Sequence, residues 1–361
     1  MQYWIRPASL TTAAKQDEIA ELFEKFNSVP FDDCVNRKAT IDLIRCGYVE
    51  DYLKESNSSL VAELNTDTLE ELLIATEVAN STDIGVDIRN IGVLMFTERP
   101  DKLIPGAQID LVRFNTDEAE ASDDFIEKTF TGSIWKQVKD ALDYIKNTVI
   151  EAKVNKIQNQ AESERFYNYP YNALEEALVN AVFHKSYKEP EAVEIRIYVD
   201  SIQIINYPGL EKWIDIEKFA SGKIKARKYR NRRIGEMFKD IDLSEKQGTG
   251  IPKILRELKK NGSPEPEFDK DEDRTYLNTI IHVRDGFEEK HKVSDKMSDK
   301  EKRFYQLLLQ TFDTSDYVTT KIMADVSDMP ESTTRRYMNK FCDLKILKSD
   351  GKNRGTKYYL M

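Results

Sequence analysis

The stretch YPYNALEEALVNAVFHKSY, from Tyr169 to Tyr187, demands a helix with two opposed surfaces. Leu178, Ala181 and Val182 fit an apolar side, while Asn172, Glu176, Asn180 and His184 recur at every fourth position. At 3.6 residues per turn, steps of four drift slowly, so the polar groups line one face as a nearly continuous stripe. Pro170 and Asn172 mark the entry of the helix. Such a helix buries its apolar side and turns the stripe either to solvent or to a ligand.

The stripe has the residue types for phosphate chemistry. The Asn180 carboxamide offers a neutral oxygen suited to magnesium, which prefers oxygen ligands and retains its waters. Glu176 can orient and deprotonate a water, so it is the candidate catalytic base. Further segments follow in order. The strand IQII runs into Asn206-Tyr-Pro-Gly209, a polar residue at a strand end and then a turn. KIKARKYRNRR, from Lys223 to Arg233, carries seven positive charges and no acid. Gly248-Thr249-Gly250 precedes a helix beginning near Pro252, and backbone amides at a helix N-terminus favour phosphate. Each segment alone is a weak signal, whereas their order is a stronger one.

Composition bounds the remaining possibilities. A chain of 361 residues is expected to divide into about two to four domains. No run approaches 18 apolar residues, and MQYWIRPAS resembles neither a secretory signal nor a transit peptide, so no membrane partner is expected and the cytoplasm is the expected location. Cys34, Cys46 and Cys342 are far apart and odd in number, which argues against a disulfide framework. His184, His282 and His291 have no cysteine at metal-ligand spacing, which argues against structural zinc. The net charge of -10 is uneven: residues 296–361 hold 13 Lys+Arg against 9 Asp+Glu, and the rest holds 41 against 55. A basic end can approach a polyanion that the acidic body repels.

Periodicity predicts a strand over Tyr3 to Arg6, then helices over Lys15 to Lys25, Ala39 to Lys54 and Thr68 to Ala75. IGVLMF, Ile91 to Phe96, is a buried strand or helix segment; Ala107 to Phe114 alternates like a strand; Ile134 to Ile150 is a long amphipathic helix. VEIRIYVD and SIQIINYP, joined at Asp200-Ser201, form a hairpin, and a later strand lies near Leu277 to Val283. Helices are predicted over Arg233 to Lys239 and Pro252 to Asn261. DGFEEKHKVSDKMSD, Asp285 to Asp299, is the best linker. Beyond it lie three helical stretches, Asp299 to Phe312, Thr319 to Val326 and Glu331 to Leu344, and two short strand-like runs around Asp350-Gly351.

YPYNALEEALVNAVFHKSY, EIRIYVDSIQIINYPG, YRNRRIGEMFKDIDLSEKQGTGIPKI and NGSPEPEFDKDEDRTYL together resemble the GHKL class of ATP-binding folds, shared by gyrase, one class of heat-shock chaperones and histidine kinases. More closely, they resemble bacterial and archaeal regulators that carry a divergent GHKL-like module, often labelled RecG-related, and the similarity covers about Tyr169 to Val283. The resemblance implies ATP and Mg as cofactors, with Asn180 on magnesium and phosphates and Glu176 at the general-base position. Asn206 stands where the wider class has an adenine-reading aspartate. Gly209, Gly248, Thr249 and Gly250 would let main chain approach the nucleotide. The basic segment takes the lid position, with Arg230 and Arg233 facing phosphate; nucleic-acid contact and a solvated loop are the alternatives. His184 is either a phosphate contact or hydrogen-bonded within the fold.

In such regulators an AlbA-like domain of the Schlafen type usually precedes the connector, and YWIRPASLTTAAKQDEIAELF resembles its last strand and helix. The implied architecture is α+β: residues 1–25 a remnant or tail of that domain, 26–155 a mixed α/β connector, 156–285 a GHKL-like α/β sandwich, 286–298 a linker and 299–361 a winged helix. A RecG-type motor needs GxxxxGK[ST], a string this chain lacks, so no helicase activity is expected. Whether the chain is an enzyme is left open by the sequence, with a weak ATPase as the candidate activity.

In the terminal segment, Pro330 and Glu331 suit the first turn of a helix whose inward face carries Tyr337, Met338, Phe341 and Leu344. Ser332, Arg335, Arg336 and Asn339 fall on the other face, with Thr333 and Lys340 beside them, and Lys352 and Arg354 lie at the tip of the wing. A recognition helix displays such groups to the major groove, so double-stranded DNA is the expected partner. A protein-docking or dimerising winged helix is the alternative. The expected function is a DNA-binding transcriptional regulator with a nucleotide-binding module; the second expectation is a non-hydrolysing scaffold with a degenerate pocket, in phage defence or a mobile element.

Overall fold

In VEIRI the residues Val193, Ile195 and Ile197 are buried, while Glu194 and Arg196 are half-buried, the period of two of a strand covered on one face. The computed structural model describes residues 4–5, 12–13, 29–65, 68–114, 125–156, 163–211, 214–223, 230–243, 250–287, 298–312, 315, 317–344, 346–351 and 356–360. They fall into two compact units, 1–285 and 286–361. No helix is long and apolar enough among them to cross a membrane.

The first unit begins with a short antiparallel pair, β1 (Trp4–Ile5) and β2 (Thr12–Ala13). The helix predicted over Lys15 to Lys25 lies outside the described residues. Three 3-10 turns, Phe31–Asp33, Ile41–Leu43 and Ser59–Glu63, accompany α1 (Cys46–Glu55). Then come α2 (Leu69–Ala75), the hairpin β3 (Ala79–Thr82) and β4 (Gly85–Ile88), α3 (Asn90–Phe96) and α4 (Pro100–Leu103). The ambiguous IGVLMF run is helical. All of α3 is buried, so its sequence carries no polar face by which to show its period.

After these come β5 (Ile109–Phe114), β6 (Phe125–Phe130), α5 (Ile134–Thr148), β7 (Ala152–Lys156) and β8 (Ser163–Tyr167). The unit continues through α6 (Tyr171–His184), β9 (Val193–Ile197), β10 (Ser201–Asn206), α7 (Ile216–Ala220), α8 (Arg232–Asp240), α9 (Gly250–Asn261), β11 (Glu267–Asp269) and β12 (Leu277–His282).

One sheet of six strands runs β11-β12-β10-β9-β5-β6, with β5 parallel to β9 and its other pairs antiparallel. Leu111 of β5 lies opposite Ile195 of β9, so the sheet crosses the boundary drawn at residue 155. Connector and GHKL-like segment share a core there. Ile195, Ile197, Ile202, Ile204 and Ile281 are buried on one face of the sheet. The helix α6 lies against β10, α5 against β5 and β6, and α9 against α6. Polar links mark the opposite face, where the Tyr207 hydroxyl donates to Glu194 Oε1 at 2.9 Å and Asn278 Nδ2 to Gln203 Oε1 at 2.9 Å.

The second unit comprises α10 (Asp299–Phe312), β13 (Val318–Thr319), α11 (Thr320–Ser327), α12 (Glu331–Asp343), β14 (Leu347–Asp350) and β15 (Lys357–Leu360). Its antiparallel sheet has the order β13-β15-β14. Phe304, Leu308, Met323, Tyr337, Met338 and Phe341 pack together as its core. Thr319 Oγ1 accepts the Ile322 N–H and caps α11, and Asp328, at φ 51°, ends that helix in the left-handed region.

Helix α8 draws its N-terminal cap from far away in the chain. Asp32 Oδ2 accepts the N–H groups of Arg233 at 2.7 Å and Ile234 at 3.0 Å. Its Oδ1 is buried without a partner among the described residues. Burial pushes the Asp32 pKa up to about 6, against the lowering pull of those two N–H bonds. The folded carboxyl therefore holds a proton that the unfolded chain, titrating at about 3.9, has released. As pH rises from about 4 to about 6, Asp32 should withdraw stability on the order of 3 kcal/mol. Denaturant unfolding across that window should show the decline in the wild type and lose it in Asp32→Asn; identical pH profiles would contradict the assignment.

Candidate functional site

Ala173, Leu174, Ala177, Leu178 and Ala181 give α6 strong helix formers and a buried side against the sheet. Its polar stripe is largely covered as well. Asn172 is exposed, Asn180 and His184 are half-buried, and Glu176 is buried. The cover is the start of α9. A Cβ placed on Gly250 would stand 2.5 Å from Asn180 Nδ2 and 2.9 Å from Glu176 Oε1, so glycine permits the helix to begin this close.

A buried carboxylate needs partners, and Glu176 has one on each oxygen. Asn180 Nδ2 donates to Oε1 at 3.1 Å, and Lys253 Nζ lies 3.0 Å from Oε2. The Glu176 and Lys253 side chains are 9% and 23% exposed, which places the pair at the inner edge of the site. Burial also pushes the pKa of neighbouring Glu175 upward, with Lys253 opposing the shift and Glu176 adding to it. Lys253 was not among the sequence candidates, although its place three residues after Gly250 puts it on the first turn of α9.

The far end of α6 is built differently. Asn231 Nδ2 donates to Phe183 O at 2.9 Å and Lys185 O at 2.7 Å; Arg230 Nη1 donates to His184 O at 2.9 Å. Arg230 Nη2 reaches Gly209 O and Glu211 Oε1, both at 3.1 Å. These contacts satisfy the orphan carbonyls of the helix end and set a cation at its negative pole. Arg230 thus caps α6. Arg233 lies elsewhere, against Glu236 at 2.8 Å, Glu77 at 3.1 Å and Thr76 O at 2.9 Å. These contacts join α8 to the segment around Thr76 and Glu77.

Burial, followed by the charge of Arg230, pushes the His184 pKa down to about 4, so the ring is neutral at pH 7 and brings no cation to a phosphate. The ring lies against Phe183, with centroids 4.7 Å apart. Asn206 is buried at the end of β10, where its Nδ2 donates to Pro208 O at 3.3 Å. Gly209 donates its N–H to Arg274 O at 2.9 Å, and a Cβ there would lie 2.8 Å from the Tyr276 carbonyl carbon. The main chain that Gly209 admits is thus the protein's own. Glu176 and His184 are separated by about 12 Å along the helix axis at 1.5 Å per residue, so the stripe serves two clusters. Gly248 and Thr249 lie outside the described residues, as does 224–229 of the basic segment.

In the second unit Ser332, Arg335, Arg336 and Asn339 are exposed on α12, and Thr333 is half-buried. Lys340 is half-buried, and its Nζ pairs with Glu301 Oε2 of α10 at 2.9 Å. Lys352 and Arg354 lie outside the described residues.

The donor set at the α6–α9 contact suits a phosphate-bearing ligand. Asn180 Oδ1 is a neutral oxygen of the kind magnesium takes, and Lys253 supplies an ammonium. Among the described residues no group of three or more His, Cys, Asp or Glu could hold a metal by itself.

Residues 191–278 match the family described as "Putative ATP-dependent DNA helicase recG C-terminal". The matched range runs from before β9 into β12 and begins after α6. No curated protein matches the chain. Among solved structures, the DIP2311 protein of Corynebacterium diphtheriae aligns over 100% of this chain and 70% of its own, at 16% identity and a TM-score of 0.55, a likeness of fold. The chain thus carries a RecG C-terminal-like, ATPase-type segment within an α+β fold. As a cap of α6, Arg230 should be a stability residue: Arg230→Gln should lower unfolding free energy by about 2 kcal/mol in denaturant titrations. Full stability with weakened phosphate binding would restore the lid role.

Proposed function

We propose that the chain is a nucleotide-responsive DNA-binding regulator, taking ATP with magnesium at the edge of the α6–α9 contact and DNA on α12. The observation that carries the nucleotide half is the meeting of Asn180, Glu176 and the glycine start of α9, next to a segment of RecG C-terminal type. In this reading Asn180 Oδ1 would help hold the metal, which would neutralise phosphate charge. The main chain at Gly250 would approach the phosphates, and Glu176 is the acid able to orient water.

The DNA half rests on the second unit, whose helix and strand order is the one expected of a winged helix. Arg335 and Arg336 project from α12 into solvent with Ser332 and Asn339, a set able to meet phosphates and base edges. A non-hydrolysing nucleotide binder is the second reading, favoured by the Lys253 ion pair that occupies the Glu176 carboxylate.

Calorimetric titration of the intact chain with MgATP should show one binding event, and Asn180→Ala should weaken it by at least roughly tenfold, the cost of one strong polar contact. An intact chain that takes up no heat from ATP would end the nucleotide reading. For DNA, Arg335→Ala should reduce the slope of log affinity against log salt by about 0.9, one phosphate contact. An unchanged slope would remove α12 from the interface.

A further inference from the structure

The residue placed to act as a general base is already neutralised. Glu176 has Asn180 on one oxygen and Lys253 on the other, so the structure holds its carboxylate in a paired state. The pairing cation comes from the helix whose first residue presses on the same two side chains. Glu175 adds a second acid beside Lys253.

An incoming polyphosphate would bring more negative charge toward these two acids, and Arg230 and Arg233, the two arginines expected to meet it, have partners of their own. Arg230 is spent on the carbonyl groups of His184 and Gly209 and on Glu211, and Arg233 on Glu77, Glu236 and Thr76 O. Lys253 differs from both in its chemistry. A lysine is a compact charge on a flexible stem, able to change partners without the fixed fork of a guanidinium. Its side chain is 23% exposed, so it remains reachable from solvent while paired to the buried acid.

We propose that Lys253 is an exchangeable phosphate ligand: it holds Glu176 neutralised in the free chain and turns to the phosphates of a nucleoside triphosphate, releasing the carboxylate. The inference rests on the nucleotide reading and adds to it a device by which ligand entry frees Glu176. Ground-state pairing and ligand binding then compete for one ammonium. Removing the lysine and removing the acid must therefore act in opposite directions.

Titrations of the intact chain with ATP and with inorganic triphosphate distinguish the outcomes. Lys253→Met should weaken both ligands by roughly tenfold, the loss of one charge-assisted contact. Lys253→Arg keeps the charge, so it should bind both ligands more tightly than Lys253→Met, which controls for folding. Glu176→Gln, by removing the competitor, should tighten both ligands severalfold. An unchanged affinity in Lys253→Met, or a weakening in Glu176→Gln like that of Lys253→Met, would make the pair a fixed clamp and overturn the exchange while leaving nucleotide binding intact. If the wild-type chain binds neither ligand, the exchange fails together with the reading on which it rests.

Discussion

Placing a carboxylate inside a helix–helix contact costs several kcal/mol unless its partners are already in place. Glu176 meets that condition with one partner from its own helix and one from α9. The geometry of the contact follows. The helix α9 must start with a residue that has no side chain, and its first turn must carry a cation within reach. GTGIPK supplies both in its glycine at 250 and its lysine at 253. Removing one partner would leave an uncompensated charge, a larger cost than exchanging the whole pair for apolar groups. That asymmetry leaves the contact sensitive to anything that competes for Lys253.

The opposite end of α6 shows the same economy applied to main chain. Carbonyl groups left over at the helix terminus are taken by Asn231 and Arg230, and Asn231 directly precedes α8. The helix α8 approaches so closely that a Cβ on Gly235 would stand 2.6 Å from the Phe183 ring. Asp32 and Arg233 then tie α8 to the 3-10 turn at 31–33 and to the end of α2. Through these contacts, and through the β5–β9 pairing, the connector becomes part of the same folded body as the ATPase-like segment.

Much of this organisation was legible because periodicity reports burial. The stripe of α6, the alternation in β5 and β9 and the amphipathic face of α5 were each visible as patterns within one segment. Partners distant in sequence were not. Asp32 lies 201 residues from the amide it caps, and no local pattern announces it. The basic segment shows the same limit: resemblance assigned Arg230 and Arg233 to the lid, and no local pattern announces that they meet the end of α6 and the carboxylates of Glu77 and Glu236. Similarly, no local pattern announces the ion pair that Lys340 makes to Glu301, 39 residues away. The wholly buried α3 and the two-residue β13 had too little contrast or length for periodicity to resolve.

The central claim is that the contact between α6 and α9 is the place where nucleotide meets this chain. Amide hydrogen exchange of the intact protein, with and without ATP, tests it at the level of individual segments. The account predicts that added ATP changes exchange in peptides covering 171–184 and 250–261 together, because the ligand acts on the polar cluster they share. Exchange altered only in other segments, or in neither helix at saturating ATP, would contradict it.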